Sequence, residues 1–179
     1  GYPVVVAVNM IDLVRRNGDT IDLDKLSKAL GCVCIEISAL KGEGGKEAAE
    51  KAVELAKNHV HGPRPHVFGG SVEHALAHIE EEIDEKVDAT YLRWYAIKLF
   101  ERDEVVQKEL NLDEHILSHL EGHITECEKE MDDDAESIIA DQRYTYIGTV
   151  VGKAVKKKAE KHALSLSDKV DRIVTNRIL

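Results

Sequence analysis

Two short polar segments stand directly after two apolar runs of the sequence. Asn9 and Asp12 follow the first run, and Ser38 and Ala39 follow the second. Continuous apolar runs rich in β-branched residues are typical of strands buried on both faces of a parallel sheet. Because ligands bind beyond the carboxyl ends of such strands, we expect both segments to lie at the same edge of one sheet.

The residue types of these segments suit recognition of a guanine base. A carboxylate such as that of Asp12 accepts two hydrogen bonds in one plane, and guanine offers two matching donors, its ring N–H and its exocyclic amine. Adenine offers no such pair. The Ala39 N–H can reach the guanine carbonyl, while Asn9 and Ser38 hold the Asp12 loop. A polar turn that only caps a helix is the alternative interpretation. The predicted site comprises Asn9, Met10, Asp12, Ser38, Ala39 and Leu40.

The elements that must position this site alternate between strand and helix. The sequence predicts strands over residues 3–8 and 32–37 and helices over residues 22–30 and 46–58. This is the order of a right-handed βαβ unit in an α/β layer. Two strands are too few for an independent parallel sheet, and the first begins next to Gly1. We therefore expect the chain to start inside a domain.

Such a start predicts that the first strand lacks a neighbour on one side. An open strand edge recruits another chain. We expect either homo-oligomerisation through this edge or pairing with a separate N-terminal segment that completes the domain.

Only helices are predicted after Pro63. Ser71 is expected to cap the first of them, and acidic residues are expected to begin later ones. Five or six helices in this part form a compact helical domain, so we expect two domains, 1–62 and 63–179. The predicted helices cover residues 71–86, 89–100, 103–110, 113–130, 132–161 and 168–177.

The two polar segments resemble the base-recognition motifs of Ras-like GTPases, Asn-Lys-x-Asp and Ser-Ala-x. Met10 replaces the lysine, and this Asn-Met-x-Asp form resembles the ferrous iron transport protein B family, FeoB. Residues 41–44, 136–147 and 167–173 are also similar to that family. The resemblance implies an α/β remnant of a Ras-like GTPase domain, with two parallel strands and two helices. An all-α helical domain that leads toward a membrane region would follow it.

The resemblance also implies a function, the cytoplasmic portion of a GTP-dependent ferrous iron transporter. The chain, a soluble fragment, would bind GTP or GDP at the cytoplasmic face of the bacterial inner membrane, with Mg²⁺ in the intact protein. It would couple the nucleotide state to its own membrane domain, and its other partner would be the missing N-terminal part of the GTPase domain. Met10 keeps the apolar stem of lysine without its charge, so we expect weaker nucleotide binding. The alternative is a non-enzymatic helical interaction module with a structural α/β stub.

Composition excludes several other classes of protein. The 179 residues carry 24 basic and 34 acidic side chains, a net charge of −10, which disfavours nucleic-acid binding because phosphate affinity needs a basic surface. No apolar run reaches the roughly 20 residues that cross a bilayer. Three cysteines do not make a disulfide framework and favour a reducing compartment.

Histidines recur at helical spacing in two places. His74 and His78 are four residues apart, and so are His115, His119 and His123 in turn. Two histidines at this spacing can chelate a transition metal. Such residues more often lie on a solvated or half-buried helix face, so no metal site is predicted.

Four further features have structural interpretations. Cys32 and Cys34 alternate on a strand, so their side chains point to opposite faces and we expect them to pack in the core. Arg143 can pair with a carboxylate of a neighbouring helix or of the first domain, and Tyr144 can pack there with its hydroxyl bonded. Internal packing of the helix is the favoured interpretation of both residues. The lysines of residues 156–161 suit either anionic lipid head groups or a helix C-terminus.

The sequence predicts that this chain alone does not hydrolyse GTP. It contains no Gly-x-x-x-x-Gly-Lys-Ser/Thr phosphate loop, no switch threonine and no Asp-x-x-Gly segment, and the glycines of residues 42–45 lack the Lys-Ser/Thr ending. Phosphoryl transfer depends on groups that position and neutralise the phosphates. We expect phosphate release from GTP by the pure chain to equal the buffer background, and turnover above that background would contradict the prediction.

Overall fold

The structure, a computed structural model, describes residues 2–60 and 62–158. The helix predicted over residues 168–177 and the last residues of the lysine cluster lie outside this part of the chain. In chain order the elements are β1 (Val5–Val8), α1 (Ile11–Asn17), β2 (Thr20–Ile21), α2 (Leu23–Leu30), β3 (Val33–Glu36), α3 (Gly45–Lys57), α4 (Gly70–Ile83), α5 (Leu92–Phe100), α6 (Glu104–Leu110), α7 (Glu114–Met131), α8 (Ala135–Ala154) and β4 (Val155–Lys156).

The first part of the chain is built on two parallel strands. β1 and β3 pair with Val6 opposite Cys34 and Val8 opposite Glu36, and the connection between them contains α1, β2 and α2. The predicted fold class, an α/β unit followed by an all-α part, is therefore confirmed. Within residues 2–60 and 62–158, β1 pairs with no strand other than β3.

Helix α1 follows β1 in a stretch for which the sequence predicts neither a helix nor a strand. Met10 adopts a left-handed backbone with φ 65°, and its carbonyl accepts the Leu13 and Val14 amides at 2.9 and 3.2 Å. Gly18, with φ 79°, ends the helix. Seven residues are too few to show a helical period in the sequence, which is why the helix was missed.

A second small sheet links the first part of the chain to the end of α8. β2 and β4 are antiparallel, with Thr20 opposite Lys156. The Asp22 amide donates to the Ala154 carbonyl at 2.8 Å, and the Lys158 amide to Asp19 Oδ1 at 2.8 Å. The prediction of a helix to residue 161 is wrong, because β2 offers an extended partner from residue 155 onward.

Five helices, α4 to α8, form the second part as far as the described residues extend, to residue 158. Three begin at aspartate caps, since Asp103, Asp113 and Asp134 each accept amide hydrogens of the first turn, as expected for acidic residues at helix starts. The buried core residues of these helices form one cluster: Val72, Ala75, Leu76, Ile79, Ile83, Ala96, Leu99, Phe100, Val106, Leu112, Leu120, Ile124, Cys127, Ala135, Ile138 and Ile139.

Two predicted helix starts are wrong. α4 begins at Gly70, with Gly69 as its cap, so Ser71 lies inside the helix. The Gly69 amide donates to the Gln142 side chain of α8 at 3.0 Å, which fixes the chain before the helix begins. α5 begins at residue 92 instead of 89, because the Asp88 side chain accepts the Thr90 amide at 2.7 Å and holds a turn there.

None of the helices within the described residues is both long and apolar enough to cross a lipid bilayer. Leu76, Ile79 and Phe100 are fully buried inside the helical part. Their burial stabilises the fold by about 1.5–3 kcal/mol each. The apolar side chains of these helices therefore serve the core of the helical part.

Two side chains of α8 contact other elements, one through a hydrogen bond and one through an ion pair. The Tyr146 hydroxyl donates to the Ala29 carbonyl at the end of α2, and Arg143 pairs with Glu101 at 3.4 Å. Of the alternatives for Arg143, the ion pair with a carboxylate of the helical part is the one that the structure shows. The expectation for Tyr144 is wrong, since its side chain is 74% exposed and Tyr146, two residues later, makes the contact.

Replacing Tyr146 by phenylalanine tests the hydrogen bond between α8 and α2. Tyr146→Phe leaves the Ala29 carbonyl without its donor, so we expect the free energy of unfolding to fall by about 1 kcal/mol. Tyr144→Phe is the matched control, and the exposed ring should leave stability within about 0.5 kcal/mol. Urea denaturation of the full chain measures the free energy of unfolding of both variants. Equal effects of the two changes would show that the Tyr146 hydrogen bond does not stabilise the fold.

Candidate functional site

The two polar segments meet beyond the ends of β1 and β3. The Ser38 hydroxyl donates to Asp12 Oδ1 at 2.9 Å, and Ser38 is completely buried. Asp12 is half-buried in the first turn of α1. Its second oxygen, Oδ2, accepts no hydrogen bond from any of the described residues. The carboxylate is therefore held by one oxygen while its other edge stays available to a ligand.

Asn9 connects the same two segments a second time. Its Oδ1 accepts the Met10 amide at 2.8 Å and the Ala39 amide at 3.1 Å. This contact bears on the expected role of Ala39, because its N–H already donates within the protein. A guanine carbonyl can use that N–H only if Asn9 shares it or moves away.

The remaining site residues lie at the surface. Met10 is 60% exposed and Leu40 is 90% exposed, so neither packs in the core. The hydrogen bonds bring Asn9, Asp12, Ser38 and Ala39 together at the strand ends, and Met10 and Leu40 are their neighbours in the chain. We call Asn9, Met10, Asp12, Ser38, Ala39 and Leu40 the strand-end site. Its role in binding guanine stays a prediction.

The loop that carries Ser38 is closed on itself. The Ser38 amide donates to the Glu43 carbonyl at 3.0 Å, and the Glu43 amide to the Ser38 carbonyl at 3.1 Å. Gly44 follows with φ 74°, and a Cβ there would lie 2.2 Å from the Glu36 carbonyl oxygen. Only glycine fits this close approach, so Gly44 shapes the turn from β3 to α3.

Sequence reasoning missed Arg15 as part of this region. The Arg15 guanidinium, on α1, lies 2.6 Å from the Glu36 carboxylate and 3.8 Å from that of Glu43. It thereby connects the helix of Asp12 with both ends of the Ser38 loop. These charges are exposed, and exposed pairs contribute little to stability. No short-range pattern signals them, since Glu36 is 21 residues away.

Cys32, directly before β3, and Cys34, within it, are unsuited to chemistry. Cys34 is buried and Cys32 is half-buried, and both are free thiols. Burial, and then the neighbouring Cys34, raises the pKa of the Cys32 thiol, so that it stays protonated at neutral pH. A protonated thiol is neither a nucleophile nor a metal ligand. The interpretation of these residues as packing agrees with this arrangement.

The histidines do not form a metal site within the described residues. No group of three or more histidine, cysteine or carboxylate side chains there is placed to hold an ion. The His78 and His123 rings are stacked with an interplanar angle of 6°, so their nitrogens lie in parallel planes and do not converge. Four of the histidines instead pack against one another across α4 and α7.

Family models match both parts of the chain. A model for ferrous iron transport protein B matches residues 1–52, and a model for the FeoB cytosolic helical domain matches residues 68–156. A Porphyromonas gingivalis relative, an Fe(2+) transport protein A/Fe(2+) transporter FeoB fusion protein, is 30% identical over 100% of this chain and 22% of its own length. The Fe(2+) transporter FeoB of Escherichia coli K12 is 27% identical with the same coverage. The chain thus spans about a fifth of these curated relatives.

Solved structures resemble the chain in fold as well. A mutant S. thermophilus NFeoB bound to GDP superimposes with a TM-score of 0.80 at 36% identity, over 86% of this chain and 59% of that one. NFeoB from S. thermophilus bound to GDP.AlF4- and K+ gives a TM-score of 0.76 at 36% identity, over 83% and 58% of the two chains. Both of these solved structures contain a guanine nucleotide. For this chain, nucleotide binding has to be argued from the residues of its own strand-end site.

Removing the Ser38 hydroxyl tests whether it holds the Asp12 carboxylate. Ser38→Ala leaves Asp12 Oδ1 without its buried donor, so we expect the free energy of unfolding to fall by about 1–2 kcal/mol. The exposed Ser118 of α7 supplies the control, and Ser118→Ala should leave the urea midpoint unchanged. If both variants unfold at the wild-type urea concentration, the hydrogen bond does not stabilise this edge of the sheet.

Proposed function

This chain belongs to the FeoB family, and on that premise we propose that it combines the guanine-recognition part of a GTP-binding domain with the helical domain that follows it. We place the boundary between the two at residues 62 and 63. The proposal makes GTP and GDP the ligands of the strand-end site, and it rests on contacts of the described residues rather than on the family alone.

The hydrogen bond from Ser38 to Asp12 is the observation that carries the proposal. It occupies one lone pair of Oδ1 and fixes the plane of the carboxylate. Oδ2 and the remaining lone pair of Oδ1 can then accept the ring N–H and the exocyclic amine of guanine together. Two charge-assisted hydrogen bonds in one plane are strong and directional. An adenine base offers no donor at the ring position, so the same carboxylate disfavours it.

The Ala39 amide supplies the third contact in this proposal. It donates to Asn9 Oδ1 in the structure, and the guanine carbonyl would compete for it. Binding therefore includes a small rearrangement in which Asn9 shares or releases this N–H. Met10 and Leu40, both exposed, would cover the faces of the base, and apolar contact there excludes water from the hydrogen bonds.

Contacts between the two parts of the chain support a coupling role for the helical domain. α1, which carries Asp12, continues into β2, and β2 pairs with β4 at the end of α8. Tyr146 of α8 also contacts the end of α2. A shift of α1 on nucleotide binding would therefore act on α8 through a short, hydrogen-bonded path.

We propose ferrous iron transport across a membrane as the activity of the whole protein. The chain would lie at the cytoplasmic face of the bacterial inner membrane, with its own membrane domain and the N-terminal part of the GTPase domain as partners. Mg²⁺ belongs to that N-terminal part, because this chain lacks the threonine and Asp-x-x-Gly segment that would hold it. Self-association through the second edge of β1 is a further proposal of the same kind.

Asp12→Asn in the intact protein tests the assignment of the base. The asparagine amide donates where guanine also donates, so we expect GDP affinity to fall about 10- to 100-fold. Xanthosine diphosphate, which has a carbonyl at that position, should bind more tightly than to the wild type. The matched control is Asp24→Asn, since Asp24 is exposed on α2, and it should leave both affinities unchanged. Unchanged base preference in Asp12→Asn would overturn the assignment.

The isolated chain offers a second test against the alternative of a helical interaction module. We expect GDP, but not ADP, to shift the amide resonances of the strand-end site at millimolar concentration. If neither nucleotide shifts them, the helical module is the function left for this chain alone.

A further inference from the structure

Four imidazole rings on α4 and α7 form a row in space, in which each ring contacts the next. His74 meets His78 with ring centroids 4.6 Å apart, His78 meets His123 at 4.2 Å, and His123 meets His119 at 4.9 Å. The spacing of four residues places two rings on one face of each helix. We call His74, His78, His119 and His123 the histidine row. It lies where α4 packs on α7.

The arrangement at the centre of the row suits neutral rings. His78 and His123 are stacked face to face, with an angle of 6° between their planes. Neutral imidazoles in this position gain packing contacts. Two imidazolium rings at the same distance repel each other, and histidine is the side chain whose charge changes between pH 5 and 8.

We propose that the stacked pair of His78 and His123, at the centre of the histidine row, is a pH-sensitive contact, which holds α4 against α7 while both rings are neutral and loosens when both are protonated. The proposal concerns the helical part alone. It does not depend on nucleotide binding at the strand-end site.

Carboxylates face three of the four rings, including both rings of the stacked pair. Glu82 of α4 lies 2.7 Å from His119 Nδ1, and Glu81 of α4 lies 3.4 Å from His78 Nδ1. Glu126 of α7 is the acidic group that acts on His123. The Glu82–His119 contact joins α4 to α7, and a positive charge on His119 would strengthen it. Repulsion between the two helices arises from the stacked rings of His78 and His123, 4.2 Å apart, when both carry a charge.

The charged groups of α7 that face α5 and α8 already have hydrogen-bond partners. Arg102, which follows α5, donates to the Glu121 and Glu128 carboxylates. At the start of α8, the Ala135 amide also donates to Glu128 at 2.8 Å. These hydrogen bonds lower the pKa of Glu121 and Glu128, so both stay ionised through the range in which histidine titrates. The changing charge in this region is that of the histidine row.

Solvent has access to the row from one side. A cavity of about 220 Å³ opens beside His74 and His123 and is also lined by Ser71, Glu126, Cys127 and Glu130. A space of this size holds water molecules. Protons can therefore reach the inner rings without unfolding of the helices.

The direction of the pH effect follows from His123. Burial, and then the neighbouring His78 and His119, lowers the pKa of His123. The unfolded chain, with an ordinary histidine pKa of about 6.5, takes up this proton first as the pH falls. Stability is therefore complete above about pH 6.5 and is lost as the pH falls from there through the lower pKa of the folded state.

Hydrogen exchange of the full chain at pH 7.5 and 5.5 tests the proposal. After correction for the intrinsic exchange rate, we expect protection of the α4 amides to fall at the lower pH, because the unfolded chain takes up the His123 proton before the folded chain does. His123→Phe keeps a stacked ring that cannot be protonated, so it should remove most of this change. His115→Phe makes the same substitution on an exposed position of α7 outside the row and should behave as the wild type.

An equal pH effect in His123→Phe and His115→Phe would overturn the proposal. Should His123→Phe fail to fold, NMR titration of the imidazole resonances in the wild-type chain decides the matter. We expect the pKa of His123 to lie below the ordinary histidine value, together with shifts of the α4 amides that face α7. Independent titration of all four rings at ordinary values, with α4 protection constant, would also overturn it.

Discussion

The parallel pairing of β1 with β3 is the constraint on which the candidate site depends. Beyond the strands, the pairing continues through the Ile37 amide, which donates to the Val8 carbonyl at 2.9 Å, and the Ile11 amide, which donates to the Ile37 carbonyl at 3.3 Å. These bonds hold the two loops in one register. A shift of one residue would turn every side chain of one strand to the opposite face, and Ser38 would lose Asp12. The site is thus a consequence of strand register more than of either loop alone.

The helical part depends on α8 for its position. This helix has 20 residues, a length of about 30 Å, and it contacts the first part of the chain near its end. Near its middle it binds the connection that leads into α4, through Gln142 to the Gly69 amide, and Arg143 lies 5.9 Å from the centre of the Phe68 ring. The one helix α8 therefore contacts the end of α2, the second sheet and the start of the helical bundle. Because α1 leads into β2, movement of α1 would act on α8 while β2 stays paired with β4.

The sequence was sufficient to predict local elements and insufficient for contacts between distant segments. The apolar run of β1 and the aspartate caps depend on neighbouring residues, and they were predicted correctly because propensity and capping are local effects. The meeting of Asp12 with Ser38 was also foreseeable, because parallel strands share one carboxyl edge.

The pairing of β2 with β4 could not be predicted in this way. Each strand has two residues, and their register is set by a hydrogen bond over a separation of more than a hundred positions. Tyr146 could not be chosen over Tyr144 either, because the choice depends on how α8 is rotated against α2. The same limit applies to the histidine row. Its helical spacing was visible in the sequence, but only the packing of α4 on α7 brings the two sets of rings together.

The two faces of α7 differ in how their charges respond to pH. On one face Arg102 binds Glu121 and Glu128, and these hydrogen bonds raise the pKa of the guanidinium and lower those of both carboxylates. That face keeps its attraction until the pH falls through the lowered carboxylate pKa values, well below the range of histidine. The histidine row lies on the face toward α4, and histidine is the side chain whose charge changes between pH 5 and 8. If the stacked pair acts as we propose, mild acid would weaken the contact of α7 with α4 while the hydrogen bonds of Arg102 on the other face stay intact. Because α4 follows the connection that Gln142 holds, this contact is also linked to α8 through Gly69.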